Sequence, residues 1–189
     1  MKRTIVFCVI LWTVSVCRIN AQDVKSVANE LMAGSEVTFS CSVKGNDRQN
    51  FSFEATGTAK LLGTNYYIVT DDGLKLISDG KSLWIINLDT KEAVVSLLDE
   101  NQTEQNDFTN PFLLLSNPRG DLKFTFKGTA PGSNSKVPAE ISITGFTAKA
   151  GHPNEIVVKI QKFAKANLKS SDFVFNKKDY PNIEVTDLR

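Results

Sequence analysis

The chain has 189 residues and a formal net charge of +1 at pH 7. Removing the first 21 residues takes away three basic residues and no acidic residue, so the charge falls to −2 and 168 residues remain, enough for one domain with a sizeable core. The only consecutive basic residues in that remainder are Lys177 and Lys178. Binding to nucleic acid depends on clustered cations, so the composition excludes a nucleic-acid partner.

The N-terminus has the pattern of a signal peptide. Lys2 and Arg3 precede the apolar run Ile5–Val16, which has the length of a signal-peptide core and is too short to span a membrane. Ala21 places a small residue before the expected cut. We therefore predict a signal peptide over 1–21 and an exported domain over 22–189. A product tethered through a lipid on Cys17 is the alternative, although the residue before Cys17 is not small.

The first elements of the exported domain follow from periodicity. Apolar residues at helical spacing predict a helix over 23–33, and Gly34 suits its C-terminal cap. Alternation then predicts half-buried strands over 37–43 and 51–55. Further strand is expected over 61–70, broken near Gly63.

Turn signals organise the rest of the chain. Asp-Gly pairs at 72–73 and 79–80 predict tight hairpins in an antiparallel meander that continues to residue 98. The apolar segment 110–115, with Pro111 near its start, predicts a short inserted helix. Strands resume over 122–126, 141–143 and 156–163, and the chain closes with an aromatic tail. The expected fold class is mainly β (α+β).

Residues that support catalysis are scarce. His152 is the only histidine and lies in a predicted turn, and Cys41 is the only cysteine after residue 21, expected to be buried. His152 and Cys41 alone do not supply the ligands of a zinc site or a catalytic nucleophile with its general base. The acidic pair Asp71–Asp72 suits a hairpin turn. We therefore expect no enzyme, catalytic residue, metal or cofactor.

Several motifs together resemble a known family. Ser78–Asn87 (SDGKSLWIIN), Asn110–Leu115 (NPFLLL) and Asp172–Phe175 (DFVF), followed by Pro181 and a short valine-containing end, are similar in order and spacing to the LolA family of periplasmic lipoprotein carriers. The resemblance extends over nearly the whole exported domain. It implies an incomplete antiparallel β-barrel, or curved sheet, with a lid of short helices.

The resemblance also implies a function. Proteins of that family shelter lipoprotein acyl chains in an apolar cavity, receive them from an inner-membrane ABC transporter and deliver them to an outer-membrane acceptor. The expected protein is thus a monomeric periplasmic carrier and protein-transport chaperone. A lipid-sensing or other hydrophobic-ligand-binding module on the same fold is the alternative.

Six apolar positions are the candidates for the cavity and its lid: Phe39, Phe53, Tyr67, Val69, Phe112 and Leu114. The lid is expected around Phe112–Leu115, although these side chains would equally serve as an ordinary core plug. Both faces of the predicted strand Leu83–Ile86 are apolar, so the sequence does not indicate its inward side. The family's latch arginine corresponds to Gly63, so a guanidinium latch is not expected at this position.

Overall fold

The computed structural model describes residues 21–45, 52–98, 110–118, 121–132, 137–146 and 153–189. The predicted signal peptide, apart from Ala21, and His152 lie outside these ranges. The described residues form two α-helices, α1 (Ala21–Met32) and α2 (Leu113–Ser116), two 3-10 helices (Ser170–Phe173 and Lys177–Asp179) and ten strands. The strands are β1 (Ala33–Gly45), β2 (Ser52–Leu62), β3 (Asn65–Thr70), β4 (Leu74–Ser78), β5 (Ser82–Asn87), β6 (Glu92–Leu97), β7 (Lys123–Lys127), β8 (Glu140–Thr144), β9 (Pro153–Lys165) and β10 (Glu184–Asp187).

The predicted first helix and first strand are both confirmed. The apolar stripe of α1, formed by Val24, Val27, Ala28 and Leu31, is buried. Gly34 ends the helix with a φ of 101°, a conformation that glycine adopts without steric strain. The chain therefore passes directly from helix to strand, and α1 folds back onto the sheet that β1 begins.

All ten strands belong to one open, curved sheet in the order β10-β6-β5-β4-β3-β2-β1-β9-β8-β7. The predicted hairpin meander is β3 to β6, with its turns at the expected positions, and β2 pairs with β3 before it. Within the described strands, neighbours pair antiparallel except β10, which runs parallel to β6. The expected mainly β, LolA-like fold class is confirmed, with this parallel pair at one edge.

The pairing register separates the side chains of the sheet into two faces. Val37 pairs with Ala59, which in turn pairs with Ile68, and all three are buried. We call this side the inner face, and α1 packs on it. The neighbouring register position, which includes Thr38 and Val69, points to the opposite side, the outer face.

The outer face has its own apolar cover at the β3–β6 end of the sheet. A second cluster contains Ile77, Ile86, Ala93 and Ile183 and is separate from the main core. Ile183 belongs to the C-terminal segment (residues 174–189), which crosses this face before β10 joins β6. Because this segment crosses the face instead of turning back in a hairpin, β10 runs in the same direction as β6 and pairs with it in parallel.

The C-terminal segment is fixed by stacked aromatic rings. The rings of Trp84 and Phe175 are parallel with centroids 3.9 Å apart, and Tyr180 stacks on Phe175 in turn at 5.3 Å. Cations complete the arrangement, since Lys75 Nζ lies 5.2 Å from the Tyr180 ring centre and Arg189 Cζ lies 5.7 Å from that of Trp84. Such stacking and cation–π contacts each add about 0.5–1.5 kcal/mol.

Gly57 is required for close approach between β2 and β3. A Cβ atom at this position would lie 2.2 Å from the Val69 carbonyl oxygen. We expect Gly57→Ala to lower the free energy of unfolding by about 2–3 kcal/mol, because backbone must shift to admit the methyl group. Gly63→Ala is the matched control, with no atom within 4 Å of its Cβ and only the strain of φ 59°, about 1 kcal/mol. Urea denaturation of both variants measures this, and equal losses would contradict it.

Candidate functional site

The site is the inner face where β1 meets the segment around α2. This segment, which we call the α2 segment (residues 110–118), lies in the connection between β6 and β7. Those strands are near opposite ends of the sheet. The α2 segment lies on the inner face, where it packs against α1 and the main core.

The centre of this contact is strongly apolar. Phe112 is fully buried, Leu114 and Leu115 are each 1% exposed, and the Phe112 ring meets the Phe39 ring edge-on at 5.4 Å. The predicted short apolar helix is therefore confirmed. It has four residues and covers the part of the inner face beside Phe39. In this conformation its side chains occupy the space beside Phe39.

The hydrogen bonds that hold the α2 segment in its helical form are local, and they include bonds to the Leu113 carbonyl from the Asn117 amide at 3.1 Å and from Ser116 Oγ at 2.8 Å. The Leu113 and Leu115 amides donate to the carbonyls of Asn110 and Phe112, both at 3.2 Å. Asn110 Oδ1 accepts a hydrogen bond from the Phe112 amide at 3.1 Å. A helix this short has no independent stability, so the segment keeps its position through the burial of its side chains.

The structure divides the six predicted site residues between the two faces. Phe39, Phe112 and Leu114 are buried together in the main core on the inner side. Phe53 pairs with Val43 on the inner face but is 46% exposed, so it lies at the rim near the end of β1 and β2. Four of the six positions are therefore on one side of the sheet.

Tyr67 and Val69 lie on the outer face. Tyr67 pairs with Ile77 and packs in the second cluster beneath the C-terminal segment, and Val69 pairs with Thr58 on the same face. A single cavity lined by all six residues is therefore incompatible with the register. On β3 the inner face carries Tyr66 and Ile68 instead, which are 1% and 2% exposed.

The outer position of Tyr67 has an electrostatic consequence. Burial, together with a hydrogen bond to Tyr67, raises the pKa of Tyr180. The phenol of Tyr180, which belongs to the C-terminal segment and stacks on Phe175, therefore stays neutral at physiological pH. Tyr67 thus helps to fix the C-terminal segment to the sheet.

Leu115 and Asn110 complete the site and were not among the predicted residues. Leu115 belongs to the Leu113–Leu115 run, whose density of large apolar residues was a sequence signal for burial. Asn110 is fully buried as well. Its position before a proline suggested only a helix start, and no sequence pattern indicated that its amide would be enclosed.

Gly63 occupies the turn between β2 and β3. Its amide donates a hydrogen bond to the Met32 carbonyl at 2.8 Å, which ties this turn to the end of α1. A Cβ at Gly63 would have no heavy atom within 4 Å, so a side chain here begins in open space. The α2 segment is accordingly held by apolar contact with α1 and β1, not by a polar latch from position 63.

The outer face near β1 differs in character from the inner face. A shallow depression of about 260 Å³ is lined largely by polar side chains, among them Ser40, Ser42, Thr56 and Lys159. Cys41 adjoins it but is 8% exposed, and burial raises its pKa to about 11, so the thiol is neutral at pH 7. This surface matches the hydrated side of an antiparallel sheet.

Two further properties concern the described residues alone. They contain no group of three or more His, Cys, Asp or Glu side chains placed to hold a metal ion. None of their helices is both long enough and apolar enough to cross a bilayer.

Comparison with known proteins gives a likeness of fold. No protein-family model matches the sequence, and no curated protein matches it. The structure of a LolA superfamily protein from Nitrosomonas europaea superposes with a TM-score of 0.52 at 11% identity, covering 83% of this chain and 98% of that one. An uncharacterized conserved protein from Thermus thermophilus superposes with a TM-score of 0.48 at 13% identity, covering 88% of this chain and 97% of that one. The protein has a LolA-like fold.

Proposed function

We propose that this protein is a periplasmic carrier that shelters the acyl chains of a lipoprotein on its inner face after the α2 segment moves aside. The observation that supports this is the nature of the cover. The inner face is closed over Phe39 by the α2 segment, whose helix has only four residues and whose Phe112, Leu114 and Leu115 are at most 1% exposed. An element so short and so apolar is suited to being displaced by an apolar ligand.

The free energies of burying the α2 side chains and an acyl chain are compatible with both uptake and release of the acyl chain. Burial of one large apolar side chain contributes about 1.5–3 kcal/mol, and burial of one methylene about 0.8 kcal/mol. The three buried side chains of the α2 segment are therefore equivalent to about 6–11 methylenes. A longer acyl chain would outcompete the segment by a modest margin, so binding would be favourable and still reversible.

The partners and location belong to the same proposal. The LolA-like fold supports a binding role rather than a catalytic one, and the predicted signal peptide would export the protein to the periplasm. The acyl chains would come from an inner-membrane lipoprotein-releasing ABC transporter and pass to an outer-membrane acceptor. The protein would act as a monomer, since one inner face serves one cargo.

Lipopeptide binding tests the proposal. Protein lacking residues 1–21 is delipidated and titrated with a fluorescent triacylated lipopeptide, and with the same peptide without acyl chains as the control. We expect saturable one-to-one binding of the acylated peptide and none of the control. Transfer of bound lipopeptide to acceptor vesicles is then followed by fluorescence.

The outcomes separate the candidate functions. Binding followed by transfer supports a carrier. Binding of free fatty acids with equal affinity, without transfer, would favour the alternative of a lipid-sensing or other hydrophobic-ligand-binding module. Failure of every acylated compound to bind would overturn both.

A further inference from the structure

Asn110 has one half of its side-chain amide satisfied and the other half not. Its Oδ1 accepts a hydrogen bond from the Phe112 amide, as described above. Its Nδ2 is buried and has no hydrogen-bond partner among the residues that the structure describes, and the residue as a whole is 0% exposed. The buried side chain of Ser35 is by contrast paired, since its Oγ donates to the Leu31 carbonyl at 2.6 Å.

An enclosed amide with unused N–H groups opposes the burial of its own segment. In water both N–H groups would be hydrogen-bonded, so closing the α2 segment over the sheet removes bonds that nothing replaces. The Oδ1 contact acts in the opposite direction, because it satisfies an amide at the start of a helix that otherwise lacks a partner. Asn110 therefore favours the helical form of the segment while disfavouring its closed position.

We propose that Asn110 sets the balance between the closed and displaced positions of the α2 segment. The apolar side chains hold the segment down, and the unpaired amide keeps that hold weak enough for a ligand to overcome. This inference rests on the proposed function, because it explains how a buried cover remains displaceable. The fold needs an oxygen at this position to cap the helix start, and it has no structural need for the amide nitrogen.

Two substitutions at Asn110 separate the nitrogen from the oxygen. Asn110→Thr keeps an oxygen able to accept from the Phe112 amide and replaces two fixed N–H donors by one hydroxyl that rotates to find an acceptor. Threonine also suits the extended backbone favoured before Pro111. Asn110→Leu removes both polar functions. Asn117→Leu, at the exposed far end of α2, is the matched control.

Amide hydrogen exchange of delipidated protein measures the displacement directly, without ligand. We expect Asn110→Thr to slow exchange at the Leu115 amide about tenfold and to weaken binding of the apolar dye N-phenyl-1-naphthylamine by a similar factor. Asn117→Leu should change neither. If Asn110 only holds the start of the helix through its oxygen, Asn110→Thr leaves exchange unchanged while Asn110→Leu accelerates it, and unchanged exchange in Asn110→Thr overturns the inference.

Hydrogen exchange and lipopeptide binding test the two proposals separately. Exchange at Leu115 decides the role of Asn110 whether or not any ligand binds. Binding of the triacylated lipopeptide to the unsubstituted protein decides the carrier function. Exchange at β1 amides such as Cys41, which lie in the sheet, verifies that each variant retains its fold.

Discussion

Replacement of Leu114 by aspartate should release the α2 segment from the inner face while the sheet stays folded. Leu114 is 1% exposed, and an unpaired carboxylate in its place would cost several kcal/mol. The protein can escape this cost by displacing the segment, which is joined to the sheet only through the β6–β7 connection. We expect exchange protection at Leu115 to be lost and dye affinity to rise about tenfold, with β1 protection unchanged.

This result would distinguish a displaceable cover from an ordinary core plug. Asn117→Asp is the control, because it adds the same charge at the exposed C-terminal end of the same helix. If the α2 segment is a fixed part of the core, Leu114→Asp will instead destabilise the whole domain. A large drop in the urea midpoint, with equal loss of protection in β1 and α2, would be that outcome.

Replacement of Ile183 by aspartate should detach the C-terminal segment from the outer face. Ile183 is 8% exposed and contributes to the second cluster with Ile77 and Ile86. We expect a loss of about 2–4 kcal/mol in the free energy of unfolding, because both the apolar contact and the parallel β10–β6 pairing depend on this anchor.

The fluorescence of Trp84 provides a direct measurement of this change. The sequence has two tryptophans, Trp12 and Trp84, so protein lacking residues 1–21 emits from Trp84 alone. Since Trp84 stacks on Phe175, detachment should expose it to water and shift its emission to longer wavelength. Val174→Asp, at a position 62% exposed, should leave the emission unchanged. An unshifted spectrum in Ile183→Asp would mean that the aromatic stack holds the segment without Ile183.

Local patterns accounted for most of the fold. The buried stripe of α1, the alternation along β1 and the Asp-Gly turns are each determined by residues close in sequence, and all were confirmed. The face of β5 was not predictable, because Leu83 belongs to the inner core whereas Ile86 lies under the C-terminal segment. Both faces are apolar because both are covered.

The C-terminal segment, which covers the outer face, also explains why the predicted site residues are divided between the two faces of the sheet. An aromatic residue in a strand indicates burial, but not the side of the sheet on which it is buried. The sequence makes Tyr67 a cavity candidate, whereas its partners in the second cluster include residues from the far end of the chain. The sequence likewise did not predict that the Asn110 amide nitrogen is buried without a partner, because its burial depends on how the α2 segment packs on the sheet.

The central position of β1 affects how the protein reaches its native state. Its Val37 pairs on one side with Ala59, close in sequence, and on the other with Phe163, more than 100 residues later. The chain has therefore a high contact order, and folding must wait for a long loop to close. During synthesis the N-terminal strands emerge first, with one edge of β1 unpaired. Until β9 arrives, that edge is open to pairing with other chains, so aggregation competes with folding at this step.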